Sequence, residues 1–408
     1  MVDYSNRVFE MHMVSNCVRS AGTLSGGQRI FIELARRWAG YGHRIIVYTD
    51  EEGQELFQKQ KLDNVEYVLW PRGRVRAIKM GLFIFYLYGC LRGVWYALTR
   101  LPKPQNSDET PRLVFSFSDF WSSSIPAFVM GRVLKAPWVA SFFMYPPNPF
   151  KGFNLAGKIK FPNLKDLMYY VSNKPIYHLI KRFADVVFVT SQPDVEGFIC
   201  RRLPAEKILV IKGGVDTQLS QHVPAPSQNK YDAVFIGRFH PQKGTLELVD
   251  IWAKVCQVKP EAQLAMIGNG PLEGQIRAKI ATKGLEHNIK LLGFMDGVGK
   301  VRVFKSSRIV VHPSTYDSGG MAAAEAMSCG LPGVSFDLPA LKTYYPRGML
   351  KAPVGNLDQF VDLTLSLLTD EYLYEEMSRE AYDYTLEWDW DKRAKDVWRK
   401  VLALTTKL

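Results

Sequence analysis

Cysteine is sparse in this 408-residue chain, and Cys17, Cys90, Cys200, Cys256 and Cys329 are odd in number, scattered and never at C-x-x-C spacing. That excludes a disulfide framework and a cysteine zinc site, and it points to a reducing compartment. The seven histidines are equally dispersed, without metal-ligand spacing. His312, just before Pro313, reads as a packed strand-end residue rather than a base. Long apolar runs are also missing. The uncharged stretch Met80–Leu91 is far short of the roughly 20 residues a spanning helix needs. Extending it would bury Arg92, at ~2.5–3.5 kcal/mol on insertion scales. The first residues hold Asp3, Arg7 and Glu10 and no apolar core of signal-peptide length, so secretion is not expected.

What the chain does contain is concentrated between Ile309 and Phe336. Ile309, Val310 and Val311 are β-branched and apolar, as a buried strand requires. His312-Pro313-Ser314 stops that strand. Ser318-Gly319-Gly320 then opens a short helix whose free N–H groups, from Ser318 to Met321, suit a phosphate. Gly330 and Pro332 end the helix. Glu325 is its only charged residue and stands one turn on, where a carboxylate can accept from paired ribose hydroxyls. Two further strands end in glycines. Tyr231 to Ile236 runs into Gly237, Arg238, Lys243 and Gly244, and Leu264 to Ile267 runs into Gly268-Asn269-Gly270.

Order and spacing over roughly a hundred residues resemble the C-terminal half of retaining GT-B glycosyltransferases of family four, the glycogen-synthase-like and phosphatidylinositol-mannosyltransferase-like enzymes. That family's G-R-x(4)-K-G stretch, G-x-G turn and E-x7-E motif correspond to Gly237-Arg238 with Lys243-Gly244, to Gly268-Asn269-Gly270, and to Asp317-x7-Glu325 followed by Ala326-Met-Ser-Cys-Gly330-Leu-Pro332. Asp317 stands where the family usually carries its first Glu. In the N-terminal half, Arg7–Val14 reads as a strand, and Gly26 and Gly27 open a helix with Ile30, Phe31, Leu34, Ala35 and Trp38 on one side. Short apolar runs at 44–49, 112–116, 138–143, 185–190 and 207–212 alternate with helical segments, which implies parallel sheets covered on both faces. The fold expected is α/β: GT-B, two Rossmann-like doubly wound parallel-sheet domains facing a central cleft. The expected boundaries are an acceptor-binding domain at 1–222, completed by a terminal helix at 389–408, a linker at 223–230, and a nucleotide-sugar domain at 231–388. Asp389-Trp390-Asp391 imitates the D-x-D metal motif of a different glycosyltransferase fold, but it lies at the start of the terminal helix, so no metal is expected.

Charge is distributed unevenly. The net charge is +12, yet residues 1–230 hold 30 Lys+Arg against 18 Asp+Glu while residues 231–408 hold 22 of each. In the resembled family the first half receives the acceptor, so its basicity suggests an anionic acceptor or an anionic membrane surface. Arg74, Arg76 and Lys79 precede the apolar run Met80–Leu91, and Arg92 and Arg100 follow it. Residues 150–183 interleave Lys158, Lys160, Lys165 and further cations with aromatic rings, a mixture suited to headgroup depth. No nucleic-acid fold signature accompanies these stretches, and nucleic acid is not expected as a partner. The cytoplasmic face of a membrane is the expected location.

The resemblance also implies chemistry. Arg238 and Lys243 would stabilise the departing diphosphate without metal or cofactor, Glu325 would hold the ribose, and Asp317 would orient a hexose. Base recognition falls near Gly293-Phe294-Met295. Ser118 and Asp119 are candidate residues of the sugar or acceptor pocket, Ser118 standing where many relatives carry a His. The implied reaction is retaining transfer of a hexose from a nucleotide-diphosphate sugar to a glycan or lipid-linked acceptor. A nucleotide-sugar epimerase or phosphorylase, and a catalytically inactive sugar-binding protein, are the alternatives.

Overall fold

A computed structural model describes residues 7–16, 24–70, 82–102, 110–152, 161–162 and 164–405. Arg74, Arg76, Lys79, Lys158 and Lys160 lie outside them, as does the side chain of Lys165. The chain forms two compact units. Unit one comprises residues 1–146, 162–213 and 391–408, and unit two comprises residues 147–161 and 214–390.

Unit one is built on seven parallel strands: β1 (Glu10–Val14), β2 (Arg44–Thr49), β3 (Glu66–Leu69), β4 (Arg112–Ser116), β5 (Trp138–Ser141), β6 (Val186–Val189) and β7 (Ile208–Val210), in the order β3-β2-β1-β4-β5-β6-β7. Every residue of β5 and β6 is buried, as strands covered on both faces require. After β1 the chain enters the helix Gly26–Gly40. Ser25 caps it, accepting from Gln28 N at 3.2 Å and donating its own N–H to Gln28 Oε1 at 2.9 Å. Ile30, Phe31, Leu34, Ala35 and Trp38 are its buried stripe, as the periodicity predicts.

Unit two carries six parallel strands: β8 (Tyr231–Ile236), β9 (Leu264–Ile267), β10 (Ile289–Gly293), β11 (Ser307–His312), β12 (Gly333–Phe336) and β13 (Met349–Ala352), in the order β10-β9-β8-β11-β12-β13. Trp252 of the helix Thr245–Val258 is fully buried in the same core as Phe235 of β8 and Ile309 of β11. In both sheets the winding reverses beside the first strand, between β1 and β4 and between β8 and β11. In doubly wound sheets, ligands bind at the carboxyl ends of the strands beside such a reversal.

The chain passes from unit one to unit two at Gly213/Gly214, ten positions before the expected linker. Local bonding explains the shift. Val215 N donates to Trp388 O at 2.9 Å, and a Cβ on Gly214 would stand 2.4 Å from the Trp390 ring. The stretch after Gly213 is therefore held by the end of unit two. The helix Trp390–Thr405 then packs within unit one, where Ala394 O accepts from Trp38 Nε1 at 3.0 Å and the Trp398 ring lies 5.0 Å from Phe9. Among the described residues no helix is long and apolar enough to cross a membrane.

Candidate functional site

The four loops that follow β8, β9, β10 and β11 are stitched together by backbone bonds. Gly237 N donates to Ile267 O at 3.0 Å, Phe239 N to Asn269 O at 2.8 Å, and Gly268 N to Gly293 O at 2.8 Å. A Cβ on Gly268 would lie 1.9 Å from Gly237 O, so the G-N-G turn can close on the Gly237 loop only with glycine there. On the other side of β8, Gln242 O accepts from Thr315 N at 2.9 Å and from Tyr316 N at 3.3 Å. Gly244 has φ +62°, and a Cβ there would meet Pro313 O at 1.9 Å. Gly244→Ala is thus expected to destabilise unit two by about 2–4 kcal/mol, through left-handed strain and a backbone clash together. Chemical denaturation of the variant checks it.

The joined loops bring Lys243 onto Asp317. Lys243 Nζ stands 2.5 Å from Asp317 Oδ2, with the lysine side chain 20% exposed and the carboxylate 7%. Asp317 Oδ1 also accepts from Ser318 N at 3.1 Å and Gly319 N at 3.4 Å, and His312 Nε2 lies 3.3 Å from Oδ2. Burial pushes the Asp317 carboxyl up, but Lys243 and His312 outweigh it and hold it well below the usual carboxylate range. Burial likewise pushes the His312 pKa down, so the ring is neutral near pH 7, with Ser314 Oγ 3.1 Å from Nε2. His312 is buried at the end of β11 and braces Asp317, as a packed strand-end residue.

Below the turn, Tyr344 and Tyr345 form a floor that explains the paired glycines. A Cβ on Gly319 would meet the Tyr344 ring at 2.5 Å, and one on Gly320 would meet the Tyr345 hydroxyl at 2.1 Å. Two of the N–H groups expected to face a phosphate, those of Ser318 and Gly319, are engaged by Asp317 in this structure. Gly320 and Met321 continue the turn into the helix Met321–Met327.

Glu325 projects from that helix to a residue sequence reasoning missed. Lys300 Nζ bonds both Glu325 oxygens, at 3.0 and 2.9 Å, and Asp296 Oδ1 at 3.0 Å. Burial disfavours the Lys300 ammonium, but Glu325 and Asp296 more than compensate and raise its pKa. The signal for it was a cation inside an apolar stripe: Lys300, Val301 and Phe304 are the buried residues of the helix Gly297–Lys305. Asp296 caps that helix, and Met295 lies one residue before the cap. Arg238 behaves differently from Lys243. Its side chain is exposed and makes no ion pair among the described residues.

In unit one, Ser118 and Asp119 follow β4 beside the winding reversal. Ser118 Oγ accepts from Phe120 N at 3.1 Å. Burial pushes the Asp119 carboxyl up to about 6, held back partly by the N–H groups of Asp119 and Met144. Gly26 begins its helix, and at Gly27 a Cβ would lie 2.7 Å from the Phe143 ring, so packing accounts for that glycine. Asp389 accepts from Thr217 at 2.7 Å while Asp391 pairs with Arg37 at 2.5 Å, each carboxylate being held by a different partner.

Two family models match, one after the other. The model of glycosyltransferase family 4 covers residues 24–219, and that of glycosyl transferases group 1 covers residues 216–384. The phosphatidyl-myo-inositol mannosyltransferase of Mycobacterium leprae is 29% identical over 177 residues, 42% of this chain and 46% of that protein. The poly(glycerol-phosphate) alpha-glucosyltransferase of Bacillus subtilis is 25% identical over 202 residues, 48% of this chain and 30% of that protein. The match thus spans less than half the length of either relative. Among solved structures, sucrose-phosphate synthase from Thermosynechococcus elongatus is 18% identical with a TM-score of 0.70, covering 97% of this chain and 99% of that one. Anabaena HepE in complex with UDP and glucose is 16% identical with a TM-score of 0.68, covering 97% and 100%. At these identities the likeness is one of fold. With matched models running from residue 24 to residue 384 over two Rossmann-like sheets, the chain belongs to the group 1, family 4 glycosyltransferases of GT-B fold.

Proposed function

We propose that this protein is a hexosyltransferase that moves a sugar from a nucleotide diphosphate to a glycan or lipid-linked acceptor at a membrane surface, with retention of anomeric configuration. One observation carries the reading: Lys243 and Asp317, from loops joined through Gln242, meet at the carboxyl ends of β8 and β11 beside the winding reversal. Breaking the bond from the anomeric carbon to the diphosphate oxygen builds negative charge on the leaving group. Lys243 would exchange its pairing with Asp317 for the diphosphate, and Arg238, exposed at the neighbouring loop, would add the second cation. Glu325, oriented by Lys300, would accept from the ribose hydroxyls, and Asp317 would orient the hexose. The acceptor hydroxyl would attack from the leaving-group face and pass its proton to the departing phosphate oxygen, so no metal or further base is required.

Release of free nucleotide from UDP-, GDP- and ADP-sugars, measured with and without a lipid or glycan extract, tests this. Release that depends on the extract is expected. Equal release without it would point to an epimerase or hydrolase, and binding without turnover to a sugar-binding protein.

A further inference from the structure

The helix Leu82–Thr99 in unit one has two faces of opposite fate. Phe85, Cys90, Gly93 and Ala97 are buried. A Cβ on Gly93 would lie 2.6 Å from the Trp70 ring and 2.7 Å from Pro126, so the helix is pressed closely onto the helix Trp121–Leu134. The other face carries Ile84, Leu87, Leu91, Trp95 and Leu98, which are 51, 37, 60, 46 and 59% exposed. They recur every three or four positions, so they form one continuous stripe rather than the scattered apolar residues of an ordinary surface.

The charge along this part of the sequence, and the two arginines beside Trp95, bear on what covers the stripe. The helix holds no acid, and from Pro71 to Ser107 the chain has seven Lys+Arg and no Asp or Glu. The guanidinium groups of Arg92 and Arg100 lie 5.5 and 5.6 Å from the Trp95 ring, one before it and one after it. An indole between two arginines is the pattern of an interfacial anchor, with the ring at headgroup depth and the cations on lipid phosphates. Arg92, near the middle of the helix, excludes a spanning orientation and leaves one parallel to the surface.

We propose that the face Ile84–Leu98 of this helix docks the protein in plane on a bilayer bearing anionic lipid phosphates. The proposal rests on the membrane part of the function proposed above and assigns it to one helix, in preference to the basic segment 150–183.

Co-sedimentation with phosphatidylcholine vesicles, with and without phosphatidylglycerol, tests it on the full chain. The native protein is expected to bind the acidic vesicles at low salt. Leu91→Glu/Trp95→Glu should weaken that partition by about tenfold or more, since both positions are exposed and their apolar surface is lost to the bilayer. Tyr372→Glu, at a 78% exposed site in unit two, should bind as the native protein does. Circular dichroism reports whether the variants fold. Should the double variant fail, quenching by brominated lipid serves instead, and most of the quenched emission should disappear in Trp95→Phe. Equal binding by native protein and double variant overturns the assignment to this helix while leaving the membrane reading intact. No vesicle binding by the native protein overturns both. A native dimer that the double variant converts to monomer, with vesicle binding unchanged, overturns the assignment in favour of a second copy on the stripe.

Discussion

Lys243→Ala is expected to lower kcat by about 10²–10³-fold, the loss typical of removing one preorganised charge from a developing oxyanion. The ammonium is 20% exposed and held at 2.5 Å from Asp317, so in the proposed role it would cost little reorganisation when a diphosphate arrives. Two side effects separate this from simple unfolding. First, Asp317 loses the cation that does most to hold its carboxyl below the usual range. A depressed carboxylate contributes stability above its unfolded pKa, near 3.9, and loses it as pH falls toward the folded value. The variant should therefore be less stable than the native protein at neutral pH, and the gap should close under acid. Second, burial remains the main cause that pushes His312 down, but the smaller contribution of the Lys243 charge disappears, so its titration by NMR should move up slightly. Lys243→Ala and Asp317→Asn combined should be less damaging to stability than the two losses added, because the second removes the charge the first leaves unpaired. Near-normal turnover in Lys243→Ala would mean that the phosphate site lies elsewhere.

How much of this could be read from residues alone follows from the range of the forces involved. β8 and β9 are apolar runs ending in glycine, β11 is one stopped by His312-Pro313-Ser314, and Gly244, Gly268 and Gly270 each answer a need for positive φ, so the spacing of these residues already carried much of the loop architecture. β12 was hidden because Gly-Val-Ser-Phe is four residues long and follows a proline, and β3 because Glu-Tyr-Val-Leu is an edge strand only half covered. The helix Leu82–Thr99 is apolar on nearly every side, so periodicity could not say which face is buried. Its partner Pro126 and the cradle at Gly93 decide that, and both are tertiary. The position of the first unit's boundary depended on Gly214 under Trp390, a contact across 176 positions that no local pattern signals. The same limit applies to the end of the site proposed to hold the ribose. Glu325 was legible as an acid one turn into a helix, but the lysine that orients it stands 25 positions earlier on another element.

Lys300→Met is where that hidden pairing should show its effect. The ammonium is 9% exposed and donates to three carboxylate oxygens, two on Glu325 and one on Asp296. Methionine keeps the length and fills the space but leaves both acids facing an apolar side chain. Breaking a buried pair by removing one partner costs about 3–5 kcal/mol. Glu325 is 23% exposed and Asp296 31%, so water relieves part of the loss and about 2 kcal/mol is expected. Nucleotide affinity, read by thermal shift, should fall about tenfold or more, because an unpaired Glu325 turns toward solvent and no longer presents both oxygens at one place. A double variant separates the two effects. Glu325→Gln added to Lys300→Met removes the orphaned charge, so it should recover much of the lost stability. It should not recover binding, since an amide offers one acceptor oxygen where two ribose hydroxyls need a carboxylate. If Lys300→Met bound nucleotide as tightly as the native protein, Glu325 would not be the residue that holds the ribose, and the pairing with Lys300 would be a brace for the helix Met321–Met327 alone.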